Sequence, residues 1–96
     1  MTLETTAWDP VDMLTSPEAE RAYLAASFED GDPHLIAAVI GDIARARGMT
    51  QIAREAGLSR EAMYKAFCAG GNPTLATLTG VMKALGLKLT VMPAGG

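Results

Sequence analysis

Apolar residues recur at helical spacing through most of this chain, and the breaks between runs fall on glycine, proline and capping residues. Ser16-Pro17 opens the first run: a serine can cap a helix, and a proline in the first turn lacks only an amide that would go unpaired there. The run continues to about Glu29, with Ala22, Leu24, Ala25 and Phe28 among its apolar positions, and Gly31 ends it. Asp32-Pro33 repeats the start signal. The second helix runs to about Arg47, is expected to bury Leu35, Ile36, Val39, Ile40 and Ile43, and stops at Gly48. Residues 50–67 carry two shorter patterns separated by Gly57. Ala69-Gly70-Gly71-Asn72-Pro73 is a loop by composition, and Thr74 or Asn72 caps a last helix with the stripe Leu75, Leu78, Val81, Met82 and Leu85. Gly86 closes it. Leu87-Lys88-Leu89-Thr90-Val91 then alternates strictly, the pattern of a half-buried strand. Such a strand must pair with an N-terminal strand around Thr5, Thr6 and Trp8, with its own copy in a second subunit, or with another protein. The expected fold is mainly α: five helices with short terminal β-strands. Residues 1–15 form an N-terminal arm, residues 16–96 a single domain, and Pro93 to Gly96 a frayed tail.

The segment from Thr50 to Phe67 organises the rest. Ile52, Ala53 and Ala56 mark the inward face of its first helix, and Met63 and Phe67, four apart, that of its second. Leu58 plugs the angle between them. Gly57 stands where a left-handed backbone is usually needed, and Ser59 can cap the second helix. Small Ala53 lets the helices cross closely. This is the sequence form of a helix-turn-helix, whose DNA-binding version lays its second helix in the major groove. Similar corners also occur in proteins that touch no nucleic acid.

Charge sharpens the picture. The whole chain carries −3, but residues 1–42 hold nine acids and one base, while residues 43–96 hold seven bases and two acids. An acidic first half and a basic second half suggest two partners of opposite charge, or simply a solvated surface. With 96 residues, about half of them apolar, the chain can bury one small core without disulfides or metals. The one cysteine, Cys68, cannot form an internal bridge, which fits a reducing compartment. No apolar run reaches the length of a membrane span, and no signal peptide is visible. A cytoplasmic protein is expected, with no membrane association. Trp8, the only tryptophan, covers a core edge or anchors a partner. His34 is the only histidine and has no neighbouring ligand set, so it reads as a surface or capping residue rather than a metal site.

Taken together, the residues resemble the probable addiction-module antidote family, relatives of HigA-like antitoxins among Cro/C1-type (XRE) helix-turn-helix proteins. The resemblance is carried by Gly31-Asp32-Pro33, by Gly41-Asp42-Ile43-Ala44-Arg45-Ala46-Arg47-Gly48-Met49-Thr50, by Ala53 through Ala66, by Gly71-Asn72-Pro73, and by Ala84-Leu85-Gly86-Leu87-Lys88-Leu89. It implies a five-helix Cro/C1-type domain and an antitoxin of a type II module. Such a protein neutralises a RelE/ParE-like toxin and binds its own promoter, a double-stranded operator, as an autorepressor. The acidic first half would suit a basic toxin, placing Trp8, Asp9 and Asp12 at that contact.

Helix geometry assigns the DNA-facing residues. With Met63 and Phe67 inward, Arg60, Glu61, Tyr64 and Lys65 point outward. Arg60 and Glu61 lie in the first turn of the recognition helix. Arginine can grip guanine and glutamate can accept from cytosine, although Glu61 can instead pair with Lys65. Tyr64 either reaches a thymine methyl or packs. Thr50 and Gln51 are placed to bond a phosphate, Arg54 and Lys65 to contact the backbone, and Ser59 sits at the turn between them. Arg45 and Arg47 extend the patch. Few basic side chains are available per subunit, so a homodimer on two half-sites is expected, joined through Leu87, Leu89 and Val91. No cofactor, metal ligand set or catalytic constellation is legible, so an enzyme is not expected. Two alternatives stand: a toxin inhibitor that does not bind DNA, and a stand-alone helix-turn-helix regulator.

Overall fold

The structure, a computed structural model, describes residues 16–95. The expected N-terminal strand at Thr5, Thr6 and Trp8, and the toxin contacts Trp8, Asp9 and Asp12, lie outside the described residues. Five helices follow one another: α1 Pro17–Asp30, α2 Pro33–Arg47, α3 Met49–Ala56, α4 Arg60–Ala66 and α5 Leu75–Ala84.

Their starts are set by side chains. Ser16 Oγ accepts from the Ala19 amide, Asp32 Oδ1 from His34, Ser59 Oγ from Ala62 and Thr74 Oγ1 from Thr77, at 2.9–3.1 Å. Each caps an otherwise unpaired amide in a first turn. Thr74, not Asn72, therefore caps α5. The end of α3 is equally explicit. Gly57 is left-handed (φ 77°), its amide bonds the Arg54 carbonyl, and the Leu58 amide reaches back to Ala53 at 2.8 Å. This closure needs positive φ at one residue, which glycine supplies without Cβ strain.

The helices pack around α2 and α3. α1 lies on α2, α3 contacts α2, α4 and α5, and α2 also meets α4. Ile40 and Ile43 of α2, Ile52 and Ala53 of α3, Met63 of α4 with Phe67 just after it, and Val81 of α5 are all buried. Every one stands on the face its periodicity assigns. Leu58 is half-buried against this cluster, filling the angle as expected. One close approach is not written in that periodicity. A Cβ placed on Gly41, in mid-α2, would lie 2.0 Å from the Phe67 carbonyl oxygen, so α2 and the end of α4 meet backbone to backbone.

Three expectations fail. Leu35 (40% exposed) and Leu75 (72% exposed) are not core residues. Both sit in the first turn of their helices. The third is the C-terminal strand: none of the described residues is in a strand, residues 87–91 included. The alternation appears in burial only as far as Thr90: Leu87 and Leu89 are half-buried against the core and Lys88 and Thr90 are exposed, but Val91, on the inward parity, is 94% exposed. What is missing is a ladder partner among the described residues. Alternation records which side is dry, but a strand also needs a second backbone to bond.

A polar clamp closes the packing. Glu20, in α1, is 7% exposed. It stands four and seven residues before Leu24 and Ser27, both also buried, so the inward face of α1 is partly polar. Arg47, at the end of α2, meets it: Nε lies 2.9 Å and Nη2 2.5 Å from Glu20 Oε1, while Nη1 donates to the Leu85 carbonyl at 3.0 Å. One guanidinium thus joins α1, α2 and the end of α5. Arg47→Ala leaves that carboxylate without its partner and is expected to destabilise the protein by about 2 kcal/mol. A urea melt checks this, and an unchanged midpoint would make the clamp energetically idle.

Candidate functional site

The candidate surface is built by α3, the turn at residues 57–59, and α4. Burial of Met63 (0% exposed) and Phe67 (1%) fixes the rotation of α4 about its axis. That rotation leaves Arg60, Glu61, Tyr64 and Lys65 exposed together, lining one open, shallow concavity. Thr50, Gln51 and Arg54 on α3, and Ser59 at the turn, are exposed as well. The structure therefore brings the four α4 residues onto one face and leaves the other four open to solvent.

Within this surface the side chains are partly organised. The Arg60 guanidinium stands 5.4 Å from the Tyr64 ring centroid, and its Nη2 donates to Tyr64 Oη at 3.3 Å. An exposed cation–π contact of this kind is worth about 0.5–1 kcal/mol and narrows the arginine's rotamers. Tyr64 thus packs under Arg60 in the free protein. The Glu61–Lys65 pair allowed by their spacing does not form, and Lys65 and Arg54 have no ion-pair partner among the described residues. Gln51 Nε2 donates to Glu55 Oε2 at 3.2 Å, one turn along α3. Ser59 Oγ is committed to its capping bond with Ala62.

Arg45 and Arg47 do not extend this patch as free cations. Arg45 pairs with Asp42, which also accepts from Tyr23 Oη at 2.8 Å, and Arg47 belongs to the clamp on Glu20. Helix ends rich in arginine look like a basic patch in one dimension. The partner that neutralises Arg47 is Glu20, 27 residues away on α1, and the partner of Arg45 is Asp42, one turn back on the same helix. The inward spacing of Glu20 with Leu24 was the one signal pointing to that pairing.

Below the surface, the loop after α4 is held by a close approach. Gly71 is buried, and a Cβ there would stand 2.1 Å from the Ala66 carbonyl oxygen. The loop is folded back onto the end of α4 and is not an open cradle for a phosphate. No group of three or more His, Cys, Asp and Glu among the described residues could hold a metal ion. Cys68 is exposed and unpaired. No helix among the described residues is long and apolar enough to cross a membrane.

Comparison with known proteins adds two findings. A family model described as "Probable addiction module antidote protein" matches residues 4–93. An uncharacterized protein of Haemophilus influenzae strain Rd is 48% identical over 91 residues, spanning 95% of this chain and 94% of that protein. No solved structure matches the chain.

Proposed function

The chain belongs to the family of probable addiction module antidote proteins, and from that premise we propose that it is the antitoxin of a type II toxin–antitoxin module. An antidote has a toxin as its partner. In this reading the toxin is RelE/ParE-like, the protein neutralises it by direct contact rather than by catalysis, and α3 and α4 form a Cro/C1-type helix-turn-helix. That unit reads the module's own operator, and a homodimer represses transcription from it.

The observation that carries the DNA half is the exposed face of α4. Arg60 and Lys65 project from a helix whose opposite face is locked into the core, with Arg60 held on Tyr64. Arg60 supplies the fork that suits guanine. Lys65 and Arg54 supply unpaired charge for phosphates, and Thr50 and Gln51 add hydroxyl and amide groups at the start of α3. The charge division supports the toxin half, because nine of the eleven acids lie in residues 1–42, away from this surface in sequence.

The test is titration of the purified protein against its own upstream duplex and a scrambled duplex at two salt concentrations. Selective binding that weakens with salt is expected, because phosphate contacts release counterions. With three cations without an ion-pair partner among the described residues on this surface of each protomer, Arg54, Arg60 and Lys65, the salt slope is expected to be shallow, corresponding to roughly three phosphates per copy. Equal, weak binding to both duplexes would remove the operator-reading role.

One observation favours a second reading, a toxin inhibitor that does not bind DNA. Arg45 and Arg47 are consumed by ion pairs, which thins the basic surface of a chain whose net charge is −3. Equal, weak binding to both duplexes, with the toxin complex intact, is the result that reading expects.

A further inference from the structure

The basic half of the chain, residues 43–96, holds two acids, Glu55 on α3 and Glu61 on α4. Glu55 accepts from Gln51 at 3.2 Å. The Glu61 side chain has no hydrogen-bond or ion-pair partner among the described residues. The two cations that share α4 with it are not drawn to it. The Arg60 guanidinium lies over the Tyr64 ring, and Lys65, one turn on, makes no ion pair. Nor does the start of the helix require this carboxylate, because Ser59 Oγ already caps α4 by accepting from the Ala62 amide at 3.0 Å.

With Met63 and Phe67 buried, 3.6 residues per turn sets Glu61 on the opposite side of α4, in its first turn and in the same concavity as Arg60. In a helix-turn-helix that is the part of the second helix that reaches base edges. A duplex carries one negative charge per about 1.7 Å of its axis, so an unpaired carboxylate there weakens binding to every sequence that offers it no donor. The bases differ in what they offer. In the major groove guanine and thymine present acceptors and no donor, adenine sets its amino donor beside the acceptor N7, and cytosine presents an amino donor alone. An ionised carboxylate only accepts, so cytosine satisfies it with the least repulsion.

We propose that Glu61 is a specificity-determining residue of this surface: its carboxylate accepts a hydrogen bond from the N4 amino group of one cytosine in the operator half-site, and it repels duplexes that place any other base there. Arg60 adds affinity wherever phosphates or guanines are near. Glu61 acts in the other direction, lowering the affinity for unrelated DNA while costing nothing at the right base. The inference rests on the operator reading above and adds to it the base that is read and the penalty for the wrong one.

The experiment titrates the full chain, wild type and variants, against the upstream duplex, the scrambled duplex, and a series of upstream duplexes with one base pair changed in each. Glu61→Ala is expected to move the two affinities in opposite directions. Binding to the upstream duplex weakens about tenfold, the loss of one base contact, while binding to the scrambled duplex tightens about twofold as a repelling charge is removed. In the series, the wild type is expected to demand cytosine at one position of each half-site, and Glu61→Ala to lose its preference at that position alone. Glu61→Gln keeps the shape of the side chain and gains a donor, so its preference there is expected to pass to adenine, whose N6 and N7 suit an amide. Glu61→Ala that binds both duplexes more tightly by the same factor, or a series in which no cytosine position depends on Glu61, would overturn the proposal and leave an operator reading carried by Arg60. A wild type that binds both duplexes equally sinks the operator reading itself, and this inference with it.

Discussion

Gly41→Ala is expected to lose about 3 kcal/mol of folding stability, lowering the melting temperature by roughly 15 °C. The added methyl would meet the Phe67 carbonyl oxygen at 2.0 Å, and that oxygen belongs to the backbone, so no side-chain rotation can relieve the clash. Either α2 lifts from the end of α4 or Phe67 leaves its pocket. Gly80→Ala is the matched control. Gly80 is also inside a helix, but its Cβ would meet only the Ala56 carbonyl oxygen at 3.6 Å, an ordinary contact. There the gain in helix propensity should prevail, stabilising the protein by about 0.5–1 kcal/mol. Thermal melts of the two variants are expected to move in opposite directions. A Gly41→Ala variant that melts no lower than the wild type would mean that the α2–α4 approach is looser than the structure has it. The prediction bears on function because α4 is aimed by this contact: a lifted α2 would tilt the face that carries Arg60.

Arg60→Ala is expected to weaken binding to the upstream duplex by roughly tenfold to 150-fold, the loss of one bidentate base contact, about 1–3 kcal/mol. Binding to the scrambled duplex should change far less, so the ratio of the two affinities collapses. Stability should be almost untouched, because Arg60 is exposed and its contact with Tyr64 is a surface one. Lys65→Ala separates the two kinds of contact. As a phosphate contact it should weaken both duplexes alike and reduce the salt slope by about one unit. Tyr64→Ala removes the platform under Arg60, and a partial loss of selectivity is expected from that variant. If Arg60→Ala leaves the operator affinity where it was, Arg60 does not read bases, and the reader must be sought on the Thr50–Arg54 side of the surface.

Most of the helical plan was legible before any coordinates. Capping and breaking residues act on their own turn: Ser16, Asp32, Ser59 and Thr74 bond amides two or three residues away, and Gly57 bends the chain where it stands. On α4 periodicity is only a partial guide: with Met63 and Phe67 inward, 3.6 residues per turn sets Glu61 and Lys65 opposite them, whereas Arg60, three and seven residues before that pair, falls toward the same side and is exposed where it stands in the first turn. Leu35 and Leu75 show where that logic ends. Periodicity says which way a residue points, and only a neighbouring element decides whether anything covers it.

Charge was the less legible layer. Arg45 and Arg47 read as an extension of the basic patch because sequence presents every arginine as equally free. Folding brought α1 against α2, where Glu20 and the Leu85 carbonyl claimed Arg47, while Asp42, one turn back on α2 itself, claimed Arg45. The segment 87–91 is the complementary case: its alternation foretold the inward turn of Leu87 and Leu89 but not the 94% exposure of Val91, and not the absence of a strand, because a strand is a property of two backbones. By itself, then, the sequence determined the number and limits of the helices and most of the inward faces of α2 to α5, since caps, glycine turns and side-chain periodicity act within a few residues, but not that of α1, which is Glu20, Leu24 and Ser27. The tertiary structure alone decided which charges remain free, which helix tips stay exposed, where α2 and α4 meet backbone to backbone, and which segment is left unpaired. Each of those depends on what a residue meets from a distant part of the chain.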